Sequence, residues 1–170
     1  MRGNKRYTNA TFTKRVDHEA GRHRTVRAQP EPAVCAVCDA VYRKRRWVAN
    51  DGVTIGTKEL SLARATLCPA CKSKKEGVPS GYLQASGDFL GAHREEIEHL
   101  LRNEAARAAE DNPLAQIIDW KGKGQTLALT TTTEHLVQRL GHALEKAFDG
   151  EVRYDFSHEN KLARVSWHRD

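Results

Sequence analysis

Four cysteines arranged as two Cys-x-x-Cys pairs restrict the fold of this chain more than any other feature. The pairs stand in CAVC and CPAC, and residues 39–67 separate them. A Cys-x-x-Cys turn aims two sulfurs at one point, and four thiolates about 2.3 Å from a shared centre meet the tetrahedral preference of Zn2+. Because four protein ligands leave no open position for a substrate, the predicted site is structural. Its predicted ligands are Cys35, Cys38, Cys68 and Cys71.

The residues around the cysteines suit tight turns, but they leave two other uses open. Pro69 lies inside the second pair, and Asp39 follows the first pair, where it tolerates a left-handed conformation. Two disulfides would use the same cysteines, although the first residues lack the apolar run of a secretory signal, which favours a reducing compartment. Iron in the same cage would make the protein a redox carrier. We favour zinc and expect a cytoplasmic protein.

Positive charge is concentrated in the first half of the chain. Residues 1–29 carry 8 Lys/Arg and 2 Asp/Glu, residues 30–86 carry 9 and 5, and residues 87–170 carry 11 and 15. The net charges of these segments are therefore +6, +4 and −4, which sum to the +6 of the whole chain. A basic front half is typical of proteins that contact a polyanion. Nucleic acid is favoured over a membrane, because no apolar run is long enough to span a bilayer.

The first 29 residues are rich in arginine and poor in large aliphatic residues. Such a composition buries too little apolar surface to offset the entropy of ordering, so we predict a disordered arm. Its charge density favours an arm that contacts RNA over a solubilising tail. A mitochondrial presequence is disfavoured by the acidic residues and the absence of an apolar stripe in DHEAGRH.

A run of four basic residues follows the first cysteine pair, and a second basic cluster follows the second pair. Interpreted as one strand over residues 40–48, the run places Tyr42 and Trp47 on opposite faces. A single metal would bring both clusters to one end of a rigid domain, where cations can contact phosphates. The predicted RNA-binding residues are Arg43, Lys44, Arg45, Arg46, Lys72, Lys74 and Lys75. The alternative is that the charges are only solvated; for Trp47 itself we favour packing on the zinc site.

The remainder of the chain has the pattern of an α+β protein. Residues 89–110 have helical periodicity, with Asp88 as a possible N-cap. Strands are predicted at 114–120, 125–133, and in EVRYDFS and LARVSWHR, and a helix capped by Thr133 occupies 134–149. The apolar stripe of that helix is Leu136, Leu140, Leu144 and Phe148. The order predicts a four-stranded, largely antiparallel sheet with this helix on one face, and it leaves room for the earlier helix to cover part of the other face.

The predicted fold class is therefore α+β, with four parts. A disordered basic arm (1–29) precedes a four-cysteine zinc ribbon (30–86), a connecting helix (87–113) and a ββαββ antiparallel-sheet module (114–170). Within the ribbon, Asn50-Asp51-Gly52 predicts the turn of a loose hairpin, and GVPSGYLQASGDF is interpreted as loop and short extended chain.

The motifs around both cysteine pairs resemble a known family. VCAVCDAVYRKRRWV and LCPACK resemble the zinc-ribbon portion of the large-ribosomal-subunit export adaptor family of archaea and eukaryotes, and resemble more closely short bacterial proteins related to it. The bacterial kind also shows the pattern of PSGY, HREEI, TTT and a terminal WHR, so the resemblance covers roughly residues 30–169. It implies binding to the ribosome or ribosomal RNA. The adaptor family has more Cys-x-x-Cys pairs and further domains, so an export role does not transfer.

Catalysis has little support in the sequence. The histidines and carboxylates lack the spacing of a second metal site, no glycine-rich phosphate loop occurs, and the metal would use every cysteine. We therefore expect a non-catalytic zinc protein that binds ribosomal RNA or the ribosome, with a possible protein partner at the acidic C-terminal half. The alternatives are a DNA-binding or transcription-associated zinc ribbon and an iron-containing redox protein.

Overall fold

The structure is a computed structural model, and it describes residues 30–50, 56–157, 159 and 161–170. The arm predicted for residues 1–29 and the centre of the turn predicted at Asn50-Asp51-Gly52 lie outside the described residues. Within the described ranges the chain forms nine strands in two mixed sheets, together with five helices. The predicted α+β class is confirmed.

The first sheet is small and contains the first cysteine. Its strands are β1 (Ala33–Cys35), β2 (Val41–Arg43), β3 (Arg46–Val48) and β4 (Arg64–Thr66), in the order β3-β2-β1-β4. Strand β1 is antiparallel to β2 and parallel to β4. Helix α1 (Thr57–Leu62) precedes β4, and helix α2 (Pro69–Glu76) follows it. Because each strand has three residues, the backbone ladder alone gives this sheet little stability.

The second sheet has five strands in the order β6-β7-β5-β9-β8. These strands are β5 (Gly81–Ser86), β6 (Ile117–Lys123), β7 (Thr126–Thr131), β8 (Glu151–Ser157) and β9 (Leu162–His168). Neighbouring strands are antiparallel except β5 and β9, which are parallel. The helices in this part of the chain are α3 (Asp88–Ala92), α4 (Arg94–Asp111) and α5 (Glu134–Phe148).

The prediction of a four-stranded sheet is wrong, because β5 is a fifth strand at its centre. Loop and short extended chain was expected there, since glycine, proline and serine surround the segment. In β5 the side chains of Leu83 and Ala85 are buried, and Gly81 faces helix α5. A Cβ at Gly81 would lie 2.7 Å from Val137 Cγ1. The glycine that suggested a loop is therefore the residue that lets the helix approach the strand.

Helices α4 and α5 pack side by side on one face of the second sheet. Ile97 and Leu101 of α4 share one core with Leu136 and Leu140 of α5 and with the inward side chains of the sheet. Arg94 holds the start of α4 beside the β6–β7 turn by donating to the carbonyl of Thr126 at 2.9 Å. The expectation that the earlier helix covers the opposite face is therefore wrong. That face carries exposed, mainly polar side chains such as those of Gln84, Arg153, Arg164 and Ser166.

Helix boundaries follow local chemistry in two places. Thr133 caps α5 as predicted, because its Oγ1 accepts a hydrogen bond from the N–H of Leu136 at 3.3 Å. The single helix predicted for 89–110 is instead divided into α3 and α4 at His93, whose φ of −116° is not helical. Gly87, rather than Asp88, is the N-cap of α3.

Candidate metal centre

The ligand atoms of the four cysteines lie within 4.8 Å of one another. Cys38 Sγ and Cys68 Sγ are 3.6 Å apart, and all four residues are free thiols. Four sulfurs about 2.3 Å from one ion in tetrahedral geometry are separated by about 3.8 Å, whereas a disulfide joins sulfurs about 2.05 Å apart. The cluster therefore fits one metal ion held by four sulfurs.

The first cysteine pair lies in a tight turn between β1 and β2. The N–H of Cys35 donates to the carbonyl of Ala40 at 2.8 Å, and the N–H of Asp39 donates to the carbonyl of Cys35 at 3.0 Å. Asp39 has a φ of 59°, which is the left-handed conformation expected of it. These bonds close the chain on itself and turn both sulfurs toward the same side.

The second cysteine pair lies at the start of helix α2. Cys68 is the N-cap of this helix, and Pro69 occupies its first turn, where a missing N–H has no cost. Strand β4 brings the helix to the first pair, because Thr66 is the register partner of Cys35 in the parallel β1–β4 ladder. The second pair is thus positioned by one strand and one helix start.

Hydrogen bonds to sulfur support a negative charge at the centre. The N–H of Cys68 lies 3.4 Å from Cys35 Sγ, and the N–H of Cys71 lies 3.4 Å from Cys68 Sγ. Burial raises the pKa of Cys68 to about 11 and also raises the pKa of Cys71. Burial acts in the same direction on Cys35, but hydrogen bonds from backbone N–H groups outweigh it and lower the pKa of that thiol to about 6. Full ionisation of the cluster therefore requires a cation.

A small apolar cluster surrounds the sulfurs and joins them to the rest of the protein. Its buried members are Cys35, Ala40, Cys68, Ala70 and Cys71, with Trp47, Leu67 and Leu114 packed against them. The predicted packing role of Trp47 is confirmed. Leu114 follows helix α4 in the chain, so the cysteine cluster contacts the part of the protein that builds the second sheet.

The four-residue basic run forms the tip of the β2–β3 hairpin instead of one continuous strand. Lys44 and Arg45 connect the strands with φ values of 49° and 63°, the signature of a two-residue type I′ turn. Tyr42 and Trp47 are cross-strand partners with ring centroids 5.3 Å apart. The prediction that they lie on opposite faces is therefore wrong, because the turn reverses the chain in the middle of the run.

Glu31 holds this turn, a role that no motif in the sequence indicates. Its carboxylate accepts hydrogen bonds from the N–H of Lys44 at 2.9 Å and from the N–H of Arg45 at 2.8 Å. Type I′ turns usually contain Asn-Gly, because both residues have positive φ. Two consecutive N–H groups bound to one anion offset part of that unfavourable conformation. The only signal in the sequence was an acidic residue just before β1.

The structure places the two predicted RNA-binding clusters on separate elements, the β2–β3 hairpin and helix α2. The turn at Lys44 and Arg45 lies beyond the Tyr42 end of the ladder, where Ala33 is the partner in β1, whereas Cys35 lies at the opposite end of β1. Helix α2, which contains Lys72, Lys74 and Lys75, begins at the cysteines. The register therefore does not place the hairpin tip beside the metal centre. The prediction that one metal brings both basic clusters to one end of the domain required the tip to lie there.

Partners of the basic residues differ along the run. Arg43 lies 3.8 Å from Glu59, and Lys72 lies 3.9 Å from Glu76. Lys44, Arg45 and Arg46 have exposed side chains at the hairpin tip. Residues 30–86 contain nine Lys/Arg and five Asp/Glu, so this part of the chain has a net charge of +4. The cysteine-containing part of the chain is therefore net basic.

Comparison of the chain with protein-family models, with curated proteins and with solved structures finds no match. The relationship to the export adaptor family therefore stays a prediction from the motifs. In the part of the chain that the structure describes, no helix is long and apolar enough to cross a membrane.

Proposed function

We propose that this protein is a non-catalytic, cytoplasmic zinc protein that binds ribosomal RNA, or the ribosome, through the cationic surface of its cysteine-containing part. The N-terminal arm of residues 1–29, with a net charge of +6, is proposed as a second RNA contact. One observation carries the proposal: a tight hairpin, anchored next to the cysteine cluster, presents consecutive basic side chains at its tip.

The donor set supports zinc as the metal. Cys35, Cys68 and Cys71 are buried, and Cys38 completes a cage of four sulfurs. Such a cage is typical of structural Zn2+, which has no redox chemistry and leaves no coordination position for a substrate. When bound, the ion would hold the two cysteine pairs together and neutralise their thiolates. A protein partner at the acidic second half is part of the same proposal.

The hairpin tip supports RNA as the ligand, because it presents charge on a restrained backbone. The Glu31 carboxylate accepts hydrogen bonds from the backbone N–H groups of Lys44 and Arg45 and does not pair with their side chains in these bonds. The side chains of these two residues are therefore exposed on a turn whose backbone is held by hydrogen bonds. A restrained cation loses less conformational entropy on meeting a phosphate than one on a mobile loop.

Replacing Arg45 and Arg46 with alanine is expected to weaken binding to a ribosomal RNA transcript and to lower its salt dependence. Each lost phosphate contact reduces the slope of log affinity against log salt by about 0.7–0.9. Fluorescence anisotropy at several salt concentrations measures both quantities. Zinc content should not change, because the four predicted metal ligands are cysteines and neither Arg45 nor Arg46 is one of them.

Two control variants separate charge from turn geometry. Lys44→Asn combined with Arg45→Gly removes two charges but supplies the residues that a type I′ turn prefers, so it should weaken RNA binding while the hairpin stays folded. Glu95→Gln changes an exposed acid of α4 and should leave affinity unchanged or slightly higher. Unchanged affinity and slope in the Arg45/Arg46 variant would exclude the hairpin as the contact and favour the arm.

Sedimentation distinguishes the proposed role from its competitors. A ribosomal factor should travel with one ribosomal subunit through a sucrose gradient, whereas a transcription-associated protein should stay near the top and bind duplex DNA at least as well as RNA. A ferric thiolate centre would give the purified protein visible colour, so a colourless, zinc-loaded protein excludes the redox alternative.

A further inference from the structure

The two edges of the second sheet are built differently. Edge strand β6 has a register irregularity between Ile117 and Asp119, and its sequence contains two lysines and one glycine. Bulges and lysines are devices that prevent one sheet edge from pairing with another. This edge is therefore protected against the addition of a further strand.

Edge strand β8 has none of these sequence features. Its sequence, EVRYDFS, contains no lysine, proline or glycine. It pairs with β9 in continuous register over all seven residues, from Glu151 opposite His168 to Ser157 opposite Leu162. A regular edge strand of this length offers a template on which another strand can form main-chain hydrogen bonds.

We propose that β8 is a dimer interface on which the β8 strand of a second copy of this chain adds in antiparallel orientation. In a two-fold dimer the same strand serves both partners, and the pairing must be complementary to itself. If the two-fold axis passes through Tyr154, Arg153 of each copy lies opposite Asp155 of the other. Glu151 then lies opposite Ser157, which carries no charge.

The charge pattern of β8 selects this register over its neighbours. Residues directly opposite each other must point to the same face, so the strand can slide only in steps of two residues. One such step places Arg153 opposite Arg153, and the step in the other direction places Asp155 opposite Asp155. Like charges directly opposite each other destabilise a strand pair, whereas opposite charges stabilise it. Only the register centred on Tyr154 pairs Arg153 with Asp155.

The helix side of β8 is also suited to this pairing. Val152, Tyr154 and Phe156 are partly buried there and pack against the main core. In the register centred on Tyr154, the two Tyr154 rings are neighbours across the axis and Val152 lies opposite Phe156. Aromatic and β-branched cross-strand pairs are favourable, and the second copy covers apolar surface that one chain leaves partly exposed.

Charge reversal followed by mixing tests the pairing with the full chain. Wild type should have twice the mass of a single chain in sedimentation velocity at high protein concentration. Arg153→Asp and Asp155→Arg each put like charges opposite each other in the dimer, so each variant alone should sediment as a monomer. An equimolar mixture restores both opposite-charge pairs across one heterodimer and should recover the dimer mass.

The mixture provides the decisive control, since each chain keeps the fold it has alone. Lys123→Glu reverses a charge on the protected edge β6 and should leave the dimer unchanged. A monomeric wild type over the whole micromolar to millimolar range would overturn the proposal. So would a dimer that survives both single reversals, or two monomeric variants whose mixture stays monomeric.

Discussion

Loss of the metal is expected to unfold the cysteine-containing sheet while the second sheet stays folded. The buried side chains of the first sheet and helix α2 are almost all small: Ala33, Cys35, Ala40, Val41, Cys68, Ala70, Cys71 and Ser73. Such a core cannot offset the entropy of ordering these residues. Structural Zn2+ contributes apparent binding free energies of about 10–16 kcal/mol in small zinc-dependent domains, so an ion bound by the four cysteines would supply most of the folding free energy here.

Cys38→Ser provides the test, with Val37→Ser as a matched control. Both changes introduce serine into the same turn, but only the first removes a sulfur, and Val37 is 68% exposed. Cys38→Ser should lose metal in elemental analysis and lose hydrogen-exchange protection across β1–β4, while the strands β5–β9 stay protected. Val37→Ser should retain about one zinc per chain and the full protection pattern. A metal-free protein that keeps protection in β1–β4 would show that the metal is dispensable for folding.

Truncation of Leu140 is expected to cause the second largest effect. Leu140 is 0% exposed and lies in the core between α5 and the sheet, with Leu136 and Leu144 on the same stripe. Leu140→Ala removes buried methyl groups and leaves a cavity, which costs about 2–5 kcal/mol in the free energy of unfolding. Urea unfolding of the zinc-loaded protein, followed through hydrogen exchange in β5–β9, measures this loss.

Leu62→Ala is the control for the same chemical change on the surface. Leu62 is 80% exposed in helix α1, so its truncation should change stability by less than about 0.5 kcal/mol. A similarly small change for Leu140→Ala would mean that the assigned core face of α5 is wrong.

Periodic and spaced features of this chain were predictable from the sequence. The Cys-x-x-Cys spacing identified the four residues that the fold brings together, because the turn geometry is local to each pair. The stripe and the cap of α5 were predictable because its hydrophobic period and Thr133 act within one helix. These features depend on neighbouring residues, so sequence alone contains them.

Features that depend on distant partners were not predictable. Strand β5 has alternating burial but flanking residues typical of loops, and its place between β7 and β9 comes from pairing with segments far along the chain. The turn at Lys44 and Arg45 contradicts local turn preferences, and it is supported by Glu31, 13 positions before Lys44. The missed elements are thus those in which tertiary contacts outweigh local propensity.

Lys44 and Arg45 place two positive charges in a turn at the cost of backbone strain. Left-handed backbone costs a residue other than glycine about 1–2 kcal/mol, and the two residues adopt it in succession. Asn-Gly would form the same turn with less strain but without any cation. The chain therefore gives up local stability to keep two positive charges at the tip of the β2–β3 hairpin. In the proposed RNA complex, attraction between phosphates and these two charges would offset that cost.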